Sequence, residues 1–226
     1  MSNKNILLVE GDADRELLEA LCKAWQIPVG QVKVCTPRDA GHTKNSKQAV
    51  LAVLPLYLEQ LADGQIEKLA LVIDADSPPN GGVATTLLQQ LQPRLAEYGY
   101  QSVADKAVPG QRFIHADGLP DVGVWIMPNN TDSGMVEDWL KACMHPNEND
   151  LMRHVQQAIA SLPGGPKFKP LHQSKAEIAT WLAWQARPGH GLYNAVQPGL
   201  LDDNAPLLVA LRDWLARIYA SAHVVA

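Results

Sequence analysis

The stretch Leu69-Ala70-Leu71-Val72-Ile73-Asp74-Ala75-Asp76 decides the fold. Residues 69–73 are an unbroken apolar run of strand length that stops at two acids, and a Pro/Gly/Asn-rich loop over 77–82 leads into a helical pattern over 83–98. The same unit recurs on either side. Upstream, residues 6–9 read as a strand broken by Gly11, after which Leu17, Leu18, Leu21, Ala24 and Trp25 recur at helical spacing. Residues 32–35 repeat the strand signature, a polar stretch covers 36–47, and Val50, Leu51, Leu54, Leu58 and Leu61 mark a helix with Pro55 expected to kink it. Downstream, 122–127 is a fourth buried strand ended by Pro128 and Asn129, with Ser133 the expected N-cap of a helix through Met135, Trp139 and Cys143. Strands alternating with helices predict an α/β fold: a mostly parallel, Rossmann-like sheet with helices on both faces.

Beyond about Glu148 the strand signal fades, and helical patterns remain over 151–162, 175–185 and 207–220. Each is too short to hold a core of its own. The expected organisation is an α/β domain over 1–147 and a helical C-terminal extension over 148–226 packed on that same domain.

Composition narrows the function classes. A chain of 226 residues with 46% apolar side chains can bury a sizeable core, and 24 acids against 19 bases give a net charge of −5, unlike a disordered chain or a wholly basic nucleic-acid binder. Charge is unevenly spread: residues 152–199 carry Arg153, Lys167, Lys169, Lys175 and Arg187 against Glu177 alone, a patch suited to phosphates. No apolar run reaches the roughly 18 residues of a membrane helix and the first residues are polar, so no membrane association and a cytoplasmic location are expected. Cys22, Cys35 and Cys143 form no C-x-x-C pair and read as buried thiols. The seven histidines make no zinc-hydrolase spacing, and only His172, near Lys175, is a candidate proton carrier. Trp139, Trp181 and Trp214 read as core anchors, whereas Trp184 lies in the basic stretch.

Acids punctuate the strand ends. Glu10-Gly11 follows the first strand with Asp12 and Asp14 on the turn, Asp74-Ala75-Asp76 follows the third, and Asp132, Glu137 and Asp138 follow the fourth. In a parallel sheet these ends share one rim, where ligands bind. Crowded anions raise one another's pKa unless a cation sits among them, and oxygen ligands suit magnesium or manganese. Asp74 and Asp76, two apart on an extended segment, share a face.

The run Ile6-Leu7-Leu8-Val9-Glu10-Gly11-Asp12-Ala13-Asp14, followed by Leu71-Val72-Ile73-Asp74-Ala75-Asp76, resembles the Toprim domain of topoisomerases, bacterial primases and the overcoming-lysogenization-defect (OLD) nucleases. The resemblance covers about the first 140 residues, and the chain looks like a small stand-alone Toprim-like protein. It implies phosphodiester chemistry with Mg²⁺ or Mn²⁺, on DNA ahead of RNA. The Glu10/Asp14 spacing is similar to the OLD arrangement, which adds a later acid and a lysine. Lys175 matches the lysine. Where that branch has a serine two residues before its acid, this chain has Met135, so Glu137 and Asp138 both stand as candidates. The implied metal ligands are Glu10, Asp14, Asp74, Asp76 and Glu137 or Asp138; Glu10, Asp74, Asp76 and Lys175 are the implied catalytic set. No ATPase module precedes these motifs, so a separate ATPase or other protein is an expected partner.

Two other classes compete with a nuclease. One is a catalytically silent Toprim-like subunit that binds metal or nucleic acid. The other is a receiver-like phosphoacceptor domain, against which Gly11 stands where a second acid belongs and the Asp-x-Asp lies 64 residues after Glu10.

Overall fold

A computed structural model describes residues 4–35, 47–76, 83–103, 109–189 and 191–220. The loop expected over 77–82, nearly all of the polar stretch 36–47, and His42, His190 and His223 lie outside the described residues.

The apolar runs become the central strands. β1 (Asn5–Val9), β2 (Gln31–Val34), β3 (Lys68–Asp74) and β6 (Val122–Met127) lie parallel, in the order β2-β1-β3-β6. Two strands that the apolar pattern does not announce, β4 (Tyr100–Val103) and β5 (Gln111–His115), extend the sheet antiparallel to six strands, in the order β6-β5-β4. Side chains alternate between the faces of each strand. Leu7, Val9, Ala70, Val72, Trp125 and Met127 join one core with α1 (Asp12–Ala24) and α4 (Val136–Ala142). Ile6, Leu8, Leu71, Ile73, Val124 and Ile126 join the other with α2 (Lys47–Ala62) and α3 (Ala84–Ala96). The doubly covered, mostly parallel Rossmann-like sheet is as expected; α2 accommodates Pro55 within its length.

The C-terminal helices share the first of these cores. α5 (Asn149–Ala160), α6 (Gln173–Ala183) and α7 (Pro206–Tyr219) contribute Val155, Ile178, Trp181, Leu211, Trp214 and Leu215, all buried. α7 lies on the sheet where Gly123 makes room for it: a Cβ there would stand 2.8 Å from Ile218 and 2.9 Å from Trp214. The Tyr219 hydroxyl donates to the Ile6 carbonyl at 2.7 Å, tying the end of α7 to β1. Such burial stabilises by roughly 1.5–3 kcal/mol for each large side chain, which three short helices could not secure alone. All three cysteines are buried and free. Among the described residues, no helix is long and apolar enough to cross a membrane.

Candidate functional site

β1 lies between β2 and β3, and the chain leaves it through α1 on one face but reaches β3 through α2 on the other. The carboxyl ends of β1 and β3 therefore flank a topological switch point, where diverging connections leave a crevice. Glu10 follows β1 directly and Asp74 ends β3. The register pairs Val9 with Val72, which sets the two acids side by side, and the Asp74 N–H donates to Glu10 Oε1 at 3.0 Å.

The segment after β6 returns to the same place. Buried Asn130 accepts the Ile126 N–H at 2.7 Å through its side chain, folding the turn back on its own strand. Gly134 and Asp76 then exchange backbone hydrogen bonds of 2.9 and 3.0 Å. That bridge brings α4 to β3, where the Val136 N–H donates to Asp74 Oδ1 at 3.0 Å. Glu10, Asp74, Asp76 and the start of α4 are thus joined by strand register, one backbone bridge and two amide-to-carboxylate hydrogen bonds.

Helices α1 and α4 begin in the same way. Gly11 N–H donates to Asp14 Oδ2 at 3.0 Å, and Met135 N–H donates to Asp138 Oδ2 at 2.9 Å. In both, an acid at the third helical position satisfies the amide of the residue preceding the helix. The cap of α4 is therefore Met135 and not Ser133, and Asp138 at the third helical position accepts the cap residue's own amide. The other oxygen of Asp138 accepts the Ser174 hydroxyl and lies 3.4 Å from Lys141 Nζ. Lys141 also donates to Ser174 at 2.7 Å and to Glu177 at 3.0 Å, and Gln173 donates to Glu177 at 2.8 Å. Asp138, a candidate ligand on sequence, is thereby committed to joining α4 to α6.

Its neighbour Glu137 is placed differently. It is 6% exposed, its Oε1 stands 4.0 Å from Lys175 Nζ, and its buried Oε2 has no hydrogen-bond partner.

The carboxylates sense one another. Burial pushes Glu10 up to about 7; Asp76 and Asp14 raise it further, against Lys47 and the Asp74 amide. Burial and then Glu137 push Asp14 up to about 6, against the Gly11 amide and Lys175. Asp74 is held well above the usual carboxylate range by burial and by Asp14, Glu10, Glu137 and Asp76. Glu137 is raised by burial, with Lys175 opposing. Glu10, Asp14, Asp74, Asp76 and Glu137 form one electrostatic cluster, with Lys175 beside it.

Sequence reasoning missed Lys47. The first residue of α2, it donates to Asp76 Oδ2 at 2.6 Å and to the Ala75 carbonyl at 3.4 Å, with its side chain 15% exposed. Lys47 and Lys175 belong to helices on opposite faces of the sheet.

Other residues drawn from the sequence stand apart. Asp12 is exposed and pairs with Arg15 at 3.2 Å, and Asp132 accepts from Asn129 at 2.6 Å in an exposed turn. His172 is exposed at the boundary of α6. Trp184 is 44% exposed, while Trp139, Trp181 and Trp214 are core. An apolar cavity of about 810 Å³ beside β2, lined by Cys22, Ile27, Val29 and Val32, includes none of the clustered acids.

As a donor set, clustered carboxylates with raised proton affinities and an orphaned buried oxygen suit a hard divalent cation. No three His, Cys, Asp or Glu side chains among the described residues are gathered as a ready-made metal cage. Glu10, Asp14 and Asp74 each spend one oxygen on a backbone amide, and Asp76 is held by Lys47. The residues fit a cation in chemistry; their present hydrogen bonds would have to rearrange to surround one.

Fold and site together define a Rossmann-like α/β domain with an acidic rim at its switch point. The chain belongs to the family described as protein of unknown function (DUF3226), which it matches over residues 4–220. No curated protein and no solved structure matches it.

Proposed function

We propose that this chain hydrolyses phosphodiester bonds of nucleic acid, DNA ahead of RNA, with Mg²⁺ or Mn²⁺, in the manner of the Toprim-like OLD nucleases its acids resemble. One observation carries the reading: a buried, unpartnered Glu137 oxygen within a cluster of carboxylates at the β1/β3 switch point. Uncompensated buried anions are costly, and a divalent ion removes that cost.

Glu10, Asp14, Asp74, Asp76 and Glu137 would hold the ion or ions. When bound, these neutralise charge on phosphoryl oxygens and acidify a water. The protein's own groups do the rest. Hydrogen bonds from the Asp74 and Val136 amides orient Glu10 and Asp74. Half-exposed Lys175 offers an ammonium to the phosphate beside Glu137, where charge builds during displacement. The carboxyls of Glu10 and Asp14, pushed up to about 7 and about 6, can exchange protons near neutral pH while the ion is absent. A separate ATPase or other protein partner belongs to the same proposal.

The test is cleavage of supercoiled and linear DNA by the purified chain with Mg²⁺ or Mn²⁺. Activity should fall about a hundredfold to a thousandfold in Asp74→Ala and Asp74→Asn, as expected on losing transition-state charge stabilisation. Equal cleavage by folded Asp74→Asn would refute it.

A second reading, metal-dependent binding without turnover, is favoured by the amide hydrogen bonds that already occupy the acids. A metal-dependent gel shift that leaves every phosphodiester intact would select it.

A further inference from the structure

Lys47 is the one cation among the described residues that holds an acid of the cluster at direct hydrogen-bonding distance while also facing a second. Its ammonium bonds Asp76 at 2.6 Å and the Ala75 carbonyl at 3.4 Å, and its charge opposes the rise at Glu10. The main chain at Asp76 is held in place. Its backbone has φ of 65° and is pinned by the two hydrogen bonds it exchanges with Gly134. The Lys47 side chain is only 15% exposed and donates to an acid, 38% exposed, whose main chain is anchored, so the pair is built into the rim more firmly than a fully solvated one.

We infer that Lys47 is a built-in counter-ion of the acidic rim, which occupies Asp76 in the metal-free protein and must release it before a divalent ion can take that carboxylate. The inference rests on the metal site proposed above. It accounts for two observations together: the acids cluster, yet one of them, Asp76, is already paired with an ammonium. A resident monovalent charge tempers the self-repulsion of the empty rim, and it also competes with the incoming ion. Metal affinity is then set by an exchange and not by the carboxylates alone.

Removing the competitor should tighten metal binding, the reverse of what loss of a supporting residue does. The experiment is calorimetric titration of Mn²⁺ into wild-type protein, Lys47→Met, Lys47→Arg and Asp74→Asn, each first shown to melt cooperatively. Lys47→Gln serves as a second neutral variant should Lys47→Met not fold. Lys47→Met is expected to bind Mn²⁺ about tenfold more tightly than wild type, equivalent to about 1.4 kcal/mol. Lys47→Arg, which keeps the charge, should stay within about threefold of wild type, well short of that step. If wild type binds Mn²⁺, Asp74→Asn does not, and the neutral variants bind no more tightly than wild type, the counter-ion role is wrong while the metal site survives. If neither wild type nor the neutral variants take up Mn²⁺, both readings fall.

Discussion

Two helix N-termini in this protein are built alike and serve different ends. At α1, Asp14 receives the Gly11 amide; at α4, Asp138 receives the Met135 amide. Beyond that shared hydrogen bond they part. Asp138 is closed in by Ser174 and Lys141, so its charge is compensated within a polar network. Asp14 instead faces Glu137 and the other acids, and its carboxyl is pushed up to about 6. The same capping geometry can thus finish a helix or aim a carboxylate at a ligand site, and the surrounding counter-charge tells which. At α4 the two duties fall on adjacent residues: Asp138 caps, and Glu137 faces the cluster.

Separating those duties gives the largest expected effect. Glu137→Gln should weaken Mn²⁺ binding on the order of a hundredfold, about 2.7 kcal/mol, while the protein stays as stable as wild type or more so. Asp138→Ala should behave in the opposite sense, losing about 2 kcal/mol of stability through its cap and its Ser174 and Lys141 partners, with Mn²⁺ affinity within about threefold of wild type. Calorimetry and chemical denaturation read the two quantities. A swapped outcome would mean that Asp138 is the ligand and the assignment is inverted.

The second expected effect concerns pH in metal-free protein. Glu10 and Asp14 are pushed up to about 7 and about 6 from ordinary values of 4.5 and 3.8. Their protons bind the folded state more tightly than the unfolded one. The stability they contribute is therefore fully present below about pH 4 and is lost as pH rises through 6 and 7. Melting temperature with a chelator present should fall between pH 5 and pH 8, and Glu10→Gln should flatten that slope. An unchanged slope in the variant would remove Glu10 from the cluster.

The smallest effects come from the glycines next to the two caps. A Cβ on Gly134, at φ of 140°, would stand 2.9 Å from Asp138 Oδ2 and 3.2 Å from Pro128 Cδ. At Gly11, whose φ is an ordinary −140°, it would meet only Asp14 Oδ2, at 3.3 Å. Gly134→Ala should cost about 2 kcal/mol and Gly11→Ala less than about 1 kcal/mol by urea denaturation. Equal costs would show that the backbone at α4 is no more constrained than at α1.

The fold was legible wherever burial is two-sided. Continuous apolar runs at 6–9, 69–73 and 122–127 become β1, β3 and β6, since a strand covered on both faces has no polar positions to disguise it. β4 and β5 escaped because they lie toward the antiparallel end, where the sequences YQSV and QRFIH keep only Tyr100 and Phe113 buried. In the site, Glu10 and Asp74 could be read because each ends an apolar run, and Lys175 proved to stand beside Glu137. Asp138 was ambiguous with Glu137 until the start of α4 was known, because a one-residue shift exchanges the capping and facing positions. Lys47 carried no signal at all: it sits at the end of a polar stretch, and its partner Asp76, 29 residues away, is reached only through the packing of α2 on the sheet.

The most direct measurement is anomalous diffraction from crystals soaked in manganese. Carboxylate oxygens of Glu10 and Asp74 should lie within direct ligand distance of the scatterer, about 2.1 Å, with Glu137 completing the shell and Lys47 withdrawn from Asp76. Manganese bound elsewhere, or a fully occupied soak in which Glu10 and Asp74 lie outside ligand distance of the ion, would contradict the account.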